Sequence, residues 1–299
     1  MHHPFVLSCE STVDMPFSAV SAREIPVLFY SYTVNGAEYA DDMLRDPEAL
    51  GRFYGFLDGG ALPATSQINP QQYTDFFEKL AADHPGRDLL HIAFGSGMSN
   101  SVLNAQIAAD EFRAAHPDVA LTVVDSTCAS SGYGLLVDSA ADLRDAGRSA
   151  AEIADWLETH KRLVHHQFFS TDMKFFRRSG RVSGAAAAAA TILGICPLMR
   201  LDYDGRIVAY DKVRGKKNAV GATVRAVLAH AEGGRDYAGK CFISHSNCLS
   251  TALETRALLE KTFPALQGAI PIYDIGTIIA SHSGPGTVAV YFLGDERPR

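Results

Sequence analysis

The sequence predicts a two-domain α/β fold, in which a parallel sheet covered by helices on both faces precedes a second domain with a mixed sheet. In the first half, short β-branched or aromatic runs alternate with longer helical runs, which is typical of a parallel sheet. After about residue 162 this alternation ends, and two strand-like runs flank Tyr203-Asp204-Gly205, a hairpin turn signal. The 299 residues suffice for two ordinary domains, which we place at 1–162 and 163–299.

The elements of the first domain follow from its periodicity. Strands are predicted at residues 5–8, 27–33, 89–94 and 121–125, and helices at 47–57, 70–83, 101–115, 132–146 and 150–161. Asn69 as the cap and Pro70 at the first helical position mark the clearest of these helix starts.

The second domain is predicted to mix hairpin strands with helices. Strands are predicted at 167–171, 197–203, 206–213, 240–244, 269–275 and 287–293, and helices at 172–178, 218–231 and 250–262. A further helix is predicted in the alanine-rich segment that follows residue 181.

Composition excludes several classes of protein. Hydrophobic residues make up 47% and charged residues 20% of the chain, as in an ordinary globular protein, and the net charge of −7 argues against general nucleic-acid binding. The five cysteines are scattered without a CxxC pair, so we expect no disulfide framework and no metal site, and a cytoplasmic location fits best. We also expect no secretory signal, because the N-terminus has no basic region before its apolar run.

The segment 182–199 carries no charge and contains six consecutive alanines. Ser183 is a plausible helix cap, and Arg181 lies just before it, so the helix start offers a place for an anion. The small side chains that follow leave room for hydrocarbon, and the pairing suggests an amphiphilic ligand. We do not expect the segment to span a membrane, because alanine is only weakly apolar and Gly194 and Pro197 interrupt it.

Three loops place hydroxyls and glycines near predicted strand ends, where ligands collect in α/β sheets. They are residues 64–67, 95–101 and 281–286. Thr65, Ser96 and His282 could together bind a carboxylate, although residues of these types also serve as ordinary turns and caps.

Other interpretations use the same residues. A serine hydrolase would use Ser96 as nucleophile and His282 as base, but Phe94 and Met98 occupy the glycine positions of a nucleophile elbow. No glycine-rich phosphate loop supports nucleotide binding. The basic run 212–217 is either a solvated loop or a docking patch for an anionic or acidic partner. A binding protein for another small amphiphile also remains open.

Taken together, the segments resemble the DegV family of fatty-acid-binding proteins, which serve bacterial fatty acid kinase. The resemblance runs through nearly the whole chain in the correct order. Its pieces are Glu10-Ser11-Thr12-Val13-Asp14-Met15-Pro16, Thr65-Ser66-Gln67, Gly95 to Ser99, Val124-Asp125-Ser126 with Gly132-Tyr133-Gly134-Leu135, Gly180-Arg181-Val182-Ser183-Gly184-Ala185, Cys196-Pro197-Leu198, Lys212-Val213-Arg214 and Ile275-Gly276 through His282-Ser283-Gly284-Pro285-Gly286.

The resemblance implies two α/β domains with a long-chain fatty acid bound at their junction. It implies that Thr65, Ser96, His282 and the backbone of Gly95 hold the carboxylate. The acyl chain would lie in a tunnel, whose lining we assign to Ala186, Ala187, Ala190 and Ile192. Arg181 and Arg214 would support docking of a kinase subunit and phosphoryl transfer.

In this scheme the chain is a carrier and not an enzyme, and it needs no cofactor of its own. The kinase subunit would supply ATP and magnesium and convert the bound acid to an acyl phosphate for phospholipid metabolism. Transient contact with a membrane surface is compatible with such a carrier. Three departures from the family pattern are Glu10 in place of aspartate, Gly95 in place of serine and Ser179 in place of glycine.

Overall fold

The computed structural model describes residues 3–182 and 194–299. The strands are β1 (Phe5–Glu10), β2 (Val27–Leu28), β3 (Ser31–Val34), β4 (Ala37–Ala40), β5 (Ala64–Thr65), β6 (Asp88–Ala93), β7 (Leu121–Asp125), β8 (Val164–Ser170), β9 (Ile195–Leu201), β10 (Ile207–Arg214), β11 (Cys241–His245), β12 (Ile272–Asp274) and β13 (Thr287–Leu293). The α-helices are α1 (Phe17–Ser21), α2 (Ala49–Asp58), α3 (Pro70–Asp83), α4 (Ser101–Ala115), α5 (Ser130–Asp145), α6 (Ala150–His160), α7 (Lys174–Ser179), α8 (Lys216–His230), α9 (Leu249–Thr262) and α10 (Thr277–Ser283).

The predicted α/β fold class is confirmed. Strands β2, β1, β6 and β7 form a parallel sheet in that order, and its central strand β1 is buried along its whole length. A second sheet has the order β10-β9-β8-β13-β11-β12. Only its β11–β12 pair is parallel, so this sheet is mixed, as the hairpin signal indicated.

The two larger sheets fall on either side of residue 162 along the chain. A small antiparallel sheet of β4, β3 and β5 belongs to the first half, while α10 from the second half packs against it. One hydrophobic core also contains residues of both larger sheets. The boundary at 162 therefore stays a prediction.

The structure differs from the sequence prediction at several short elements, including α1 and β5, which were not predicted. The run 27–33 is divided between β2 in the parallel sheet and β3 in the small sheet. Strand β4 was missed, although Asn35 and Gly36 with positive φ form the Asn-Gly turn typical of a tight hairpin. The loop predicted at 281–286 begins inside α10, which ends at Gly284, where φ is +64°.

Helix α5 lies between the parallel sheet and the six-stranded sheet. Twelve of its 16 residues are buried. Glycines permit this close packing: a Cβ at Gly134 would lie 2.5 Å from the Val13 carbonyl oxygen, and one at Gly132 would lie 2.3 Å from Nε2 of His166. The Gly132-Tyr133-Gly134 motif is thus explained by contacts on two sides of one helix.

The predicted alanine helix, its cap Ser183 and the tunnel residues Ala186, Ala187, Ala190 and Ile192 lie outside the described residues. None of the helices within residues 3–182 and 194–299 has the length and apolar character needed to cross a bilayer.

We expect Gly134→Ala to destabilise the protein by about 1–3 kcal/mol, because the added methyl would overlap a backbone carbonyl that cannot rotate away. Gly55→Ala in α2 is the matched control, since a Cβ there has no heavy atom within 4 Å. It should stabilise the helix by about 0.5–1 kcal/mol. Urea unfolding measures both, and equal free energies of unfolding for the two variants would contradict this account of α5.

Candidate ligand-binding cavity

A cavity lies between the six-stranded sheet, α10 and the loops after β5 and β6. Together with the open space at its mouth it spans about 930 Å³. Its apolar lining residues are Phe94, Met98, Ala129, Phe168, Phe176, Leu201, Ile207, Ile275, Ile278, Ile279 and Ala289. Its polar lining residues are Tyr30, Thr65, Ser66, Gln67, Ser99, Ser130, His166, Arg181, His282, Ser283, Thr287 and Tyr291.

Two regular patterns in the sequence build the walls. Residues 287, 289 and 291 alternate along β13, so their side chains share one face of the sheet, beside His166 and Phe168 of β8. Residues 278, 279 and 282 share one face of α10 and line the cavity, and Ile275 lines it just before the helix begins. A strand therefore forms one wall of the cavity and a helix forms another.

Thr65 and His282 meet at the cavity wall, as the sequence analysis proposed. Their Oγ1 and Nε2 atoms are 2.8 Å apart although 217 positions separate the residues. The short strand β5 places Thr65 opposite Tyr32 of β3, and the last turn of α10 places His282. Burial lowers the pKa of His282 to about 4, with a further contribution from the positive charges of Arg181 and Arg178. The imidazole is therefore neutral at pH 7.

Arginines lie beside this pair. Arg181 lines the cavity, is exposed and donates from Nη1 to the Ser179 carbonyl at 2.6 Å. Arg178 donates to the Pro63 carbonyl at 3.0 Å, which ties α7 to the segment before Thr65. The cavity wall here thus combines a neutral imidazole, a hydroxyl and the guanidinium of Arg181, and the charge of Arg178 also acts on the imidazole.

The structure does not bring Gly95 and Ser96 to the cavity as predicted. The amide of Gly95 donates to the Cys128 carbonyl at 3.0 Å, and the amide of Ser96 donates to Oδ1 of Asp125 at 3.0 Å. The Ser96 side chain is exposed, and neither residue is among the described cavity-lining residues. Ser99 of the same loop lines the cavity instead, because the turn at 95–99 reverses the chain before α4.

Arg214 also lies away from the cavity walls that the structure describes. It is exposed at the end of β10, opposite Ile195 at the edge of the six-stranded sheet. With Lys212, Lys216 and Lys217, which are also exposed, it forms a basic edge.

Glu10 is fully buried at the end of β1, and its role as a hydrogen-bond acceptor was not predicted from the sequence. Oε2 accepts a hydrogen bond from the Tyr30 hydroxyl at 3.1 Å and from the Phe94 amide at 3.0 Å. Oε1 accepts from the Tyr73 hydroxyl and lies 3.3 Å from Nε2 of His91. Glu10 therefore fixes two cavity-lining residues, Tyr30 and Phe94. Its signals in the sequence were an acidic side chain just after the predicted strand 5–8 and its place in the opening motif of the DegV resemblance.

A second polar group lies at the start of α10. Ser130, with φ of +53°, lines the cavity and donates to Oδ2 of Asp14 at 2.5 Å. Oδ1 of Asp14 accepts from the Gly276 amide at 3.0 Å, and burial raises the pKa of this carboxyl well above its ordinary value. The Tyr291 hydroxyl bonds to Ser244 at 2.8 Å beside them. The wall is thus polar at both ends of α10 and apolar between them.

The geometry gives no support to the hydrolase interpretation. His282 bonds to Thr65, and among the described residues no hydrogen bond joins the Ser96 hydroxyl to an imidazole. The arrangement can bind an elongated molecule with an acidic head, since it offers donors at its mouth and an apolar wall behind them.

We expect NMR titration of the His282 ring to give a pKa of about 4 in the ligand-free protein. Arg181→Ala should raise this pKa because it removes a nearby positive charge. Arg177→Ala in α7 should leave it unchanged, since Arg181 and Arg178 are the arginines whose charges act on the ring. The folded-state pKa lies below the unfolded value of about 6.5, so His282 should make the protein lose stability as pH falls from about 6.5 through 4. A measured pKa near 6.5 for His282 would contradict the burial of its ring.

The sequence profile of a family described as an uncharacterised protein of the DegV family matches residues 5–295. A DegV domain-containing protein of Clostridium perfringens is 31% identical over 294 residues, which cover 98% of both chains. One from Deinococcus radiodurans is 30% identical and covers 94% of this chain and 95% of its own.

Solved structures have the same fold. A DegV family protein of Thermus thermophilus, described by its fatty acid binding, superposes with a TM-score of 0.84 at 26% identity over 97% of this chain and 99% of its own. A stearic acid-binding protein of Eubacterium ventriosum gives 0.84 at 18% identity over 97% and 98%. The profile match and the Clostridium relative together show that this chain belongs to the DegV family.

Proposed function

We propose that the protein binds a long-chain fatty acid in this cavity and presents its carboxylate to a partner kinase that forms an acyl phosphate. The observation that carries the proposal is the Thr65–His282 pair, which lies with Arg181 at the mouth of the cavity. Most of the remaining surface that lines the cavity is apolar. The fatty acid binding described for the Thermus thermophilus and Eubacterium ventriosum proteins of the same fold supports it.

The apolar wall supplies most of the attraction. A sixteen-carbon acid buries roughly fourteen methylenes at about 0.8 kcal/mol each, or about 11 kcal/mol in total. Association costs about 4–15 kcal/mol, so burial of hydrocarbon alone leaves little margin. The contacts to the carboxylate must therefore at least compensate for its loss of water.

The mouth can provide that compensation. The Thr65 hydroxyl can donate to one carboxylate oxygen, and the guanidinium of Arg181 supplies a positive charge that a carboxylate would partly neutralise. A bound anion also raises the pKa of His282, since it offsets the two arginines that lower it, and the ring can then donate through Nε2. Charge-assisted hydrogen bonds of about 1.5–3 kcal/mol each make the acid preferable to the alcohol.

The kinase would dock on exposed residues outside the cavity. In this proposal Arg181, exposed beside the mouth, faces the phosphoryl donor, and Arg214 on the basic edge pairs with acidic side chains of the kinase subunit. The kinase supplies ATP and magnesium, and this chain supplies the acid in a fixed orientation.

We expect Thr65→Val and His282→Ala each to weaken stearic acid binding by about tenfold or more, because each removes a hydrogen-bonding group from the carboxylate. Binding of stearyl alcohol should fall much less. Ser96→Ala is the matched control and should bind normally, since Ser96 is exposed and its amide bonds to Asp125. Titration with labelled stearic acid and stearyl alcohol measures these affinities, and mass spectrometry of extracted lipid detects any bound acyl chain. Absence of any bound or acquired acyl chain would overturn the proposal.

We expect Arg214→Ala to slow acyl phosphate formation by a purified fatty acid kinase subunit while the affinity for stearic acid stays unchanged. Lys79→Ala, an exposed cation on α3, is the control and should leave the rate unchanged. Raising salt should slow the wild-type reaction and narrow the difference between wild type and Arg214→Ala. Equal rates for wild type and Arg214→Ala would show that this edge is not the docking surface, although fatty acid binding could still stand.

A further inference from the structure

Two histidines and a carboxylate converge on the face of the six-stranded sheet opposite the cavity. His166 and Phe168 of β8 line the cavity, so the intervening side chains of that strand point to the other face. His165 meets His230, the last residue of α8, and Asp295, which follows β13. The proposed fatty acid site does not use these three residues.

The three side chains already have the separations of a metal centre. Oδ1 of Asp295 lies 3.0 Å from Nε2 of His165 and 3.0 Å from Nδ1 of His230, and the three atoms all lie within 4.8 Å of one another. Ligand atoms about 2.0–2.1 Å from a tetrahedral zinc ion are about 3.3 Å apart. The two separations from Asp295 are therefore close to those that an ion would impose, and the two imidazole nitrogens lie within 4.8 Å of each other.

The surroundings favour a fixed set of ligands. His165 is buried and stacks on Phe292 with ring centroids 5.1 Å apart, while its ring and that of His230 stack at 4.9 Å. The Asp295 side chain is 61% exposed, so it can move the short distance needed to admit an ion. The Asp295 carbonyl oxygen, 2.8 Å from Nε2 of His165, is a possible fourth ligand.

We propose that His165, His230 and Asp295 bind a divalent transition-metal ion of the zinc type. Imidazole and carboxylate ligands suit zinc, and one coordination position stays available for water or the Asp295 carbonyl. Arg297 lies in the same C-terminal tail as Asp295 (residues 294–299). Its positive charge acts on His165 and weakens binding of a cation there. We therefore expect affinity in the micromolar range.

The ion would hold the C-terminal tail against the sheet. Asp295 already donates its amide to the His230 carbonyl at 3.1 Å. Farther on, the buried Arg297 donates to the Thr127 carbonyl at 2.9 Å and to the Thr127 hydroxyl at 2.7 Å. Thr127 precedes Ala129 and Ser130, which line the cavity, so the tail joins the metal centre to the cavity wall.

The test is a titration of the full chain with Zn²⁺ by calorimetry. It should be run in a His2→Ala, His3→Ala background, because adjacent histidines in a sequence can bind zinc by themselves. We expect one ion per chain and a rise in melting temperature on its addition. His230→Ala and Asp295→Asn should weaken binding by about tenfold or more, as the loss of a ligand predicts. His116→Ala should bind like its parent, although His116 and Glu78 also form an imidazole–carboxylate pair with a 2.8 Å separation.

Both ligand variants change partly exposed side chains, and circular dichroism would confirm that they fold. No saturable binding below about 100 µM Zn²⁺ would overturn the proposal, because a centre with these ligands should bind more tightly. Binding that is equally strong in His230→Ala and Asp295→Asn would overturn it as well. Fatty acid binding is measured separately, so the result does not depend on the proposed function.

Discussion

The close packing of α5 between the two larger sheets is the constraint on which the rest of the structure depends. Gly132 and Gly134 allow the helix to approach His166 on one side and the Val13 backbone on the other. The hydroxyl of Tyr133, between them, accepts from the Glu10 amide at 2.9 Å and donates to the Ile92 carbonyl at 2.5 Å. The helix thereby sets the positions of β1 and β6, and its first turn places Ser130 in the cavity wall.

Polar groups around the cavity are held by partners on the side away from the ligand space. Glu10 accepts from Tyr30, Asp14 accepts from Ser130, and Ser244 bonds to Tyr291. Buried polar groups that are already paired cost little, and they keep the surrounding side chains in one arrangement. Thr65 and His282 differ, because they bond to each other at the mouth and can exchange that bond for one to a ligand.

Sequence periodicity sufficed for the larger elements and for part of the site. Thr65 and His282 could be named because they lie in loops that carry hydroxyls and glycines, and because the DegV resemblance implies that they hold the carboxylate. Ser96 does not line the described cavity, because the turn at 95–99 brings Ser99 to the wall instead, and that turn depends on bonds from the Gly95 and Ser96 amides to the Cys128 carbonyl and the Asp125 carboxylate. Its contact with a carboxylate stays a prediction. Helix α10 was missed because Ser281, His282 and Ser283 precede Gly-Pro-Gly and were assigned with it to a loop, although the helix continues to Ser283.

The sequence by itself determined the α/β class, the DegV resemblance and the alternation that gives each strand a buried face, because these depend on local spacing of apolar side chains. Only the tertiary structure decided that Glu10 is the buried acceptor for two tyrosine hydroxyls, and that His165, His230 and Asp295 meet. These contacts join positions 20 to 130 residues apart. The folding of the whole chain creates such contacts, and no local pattern in the sequence records them.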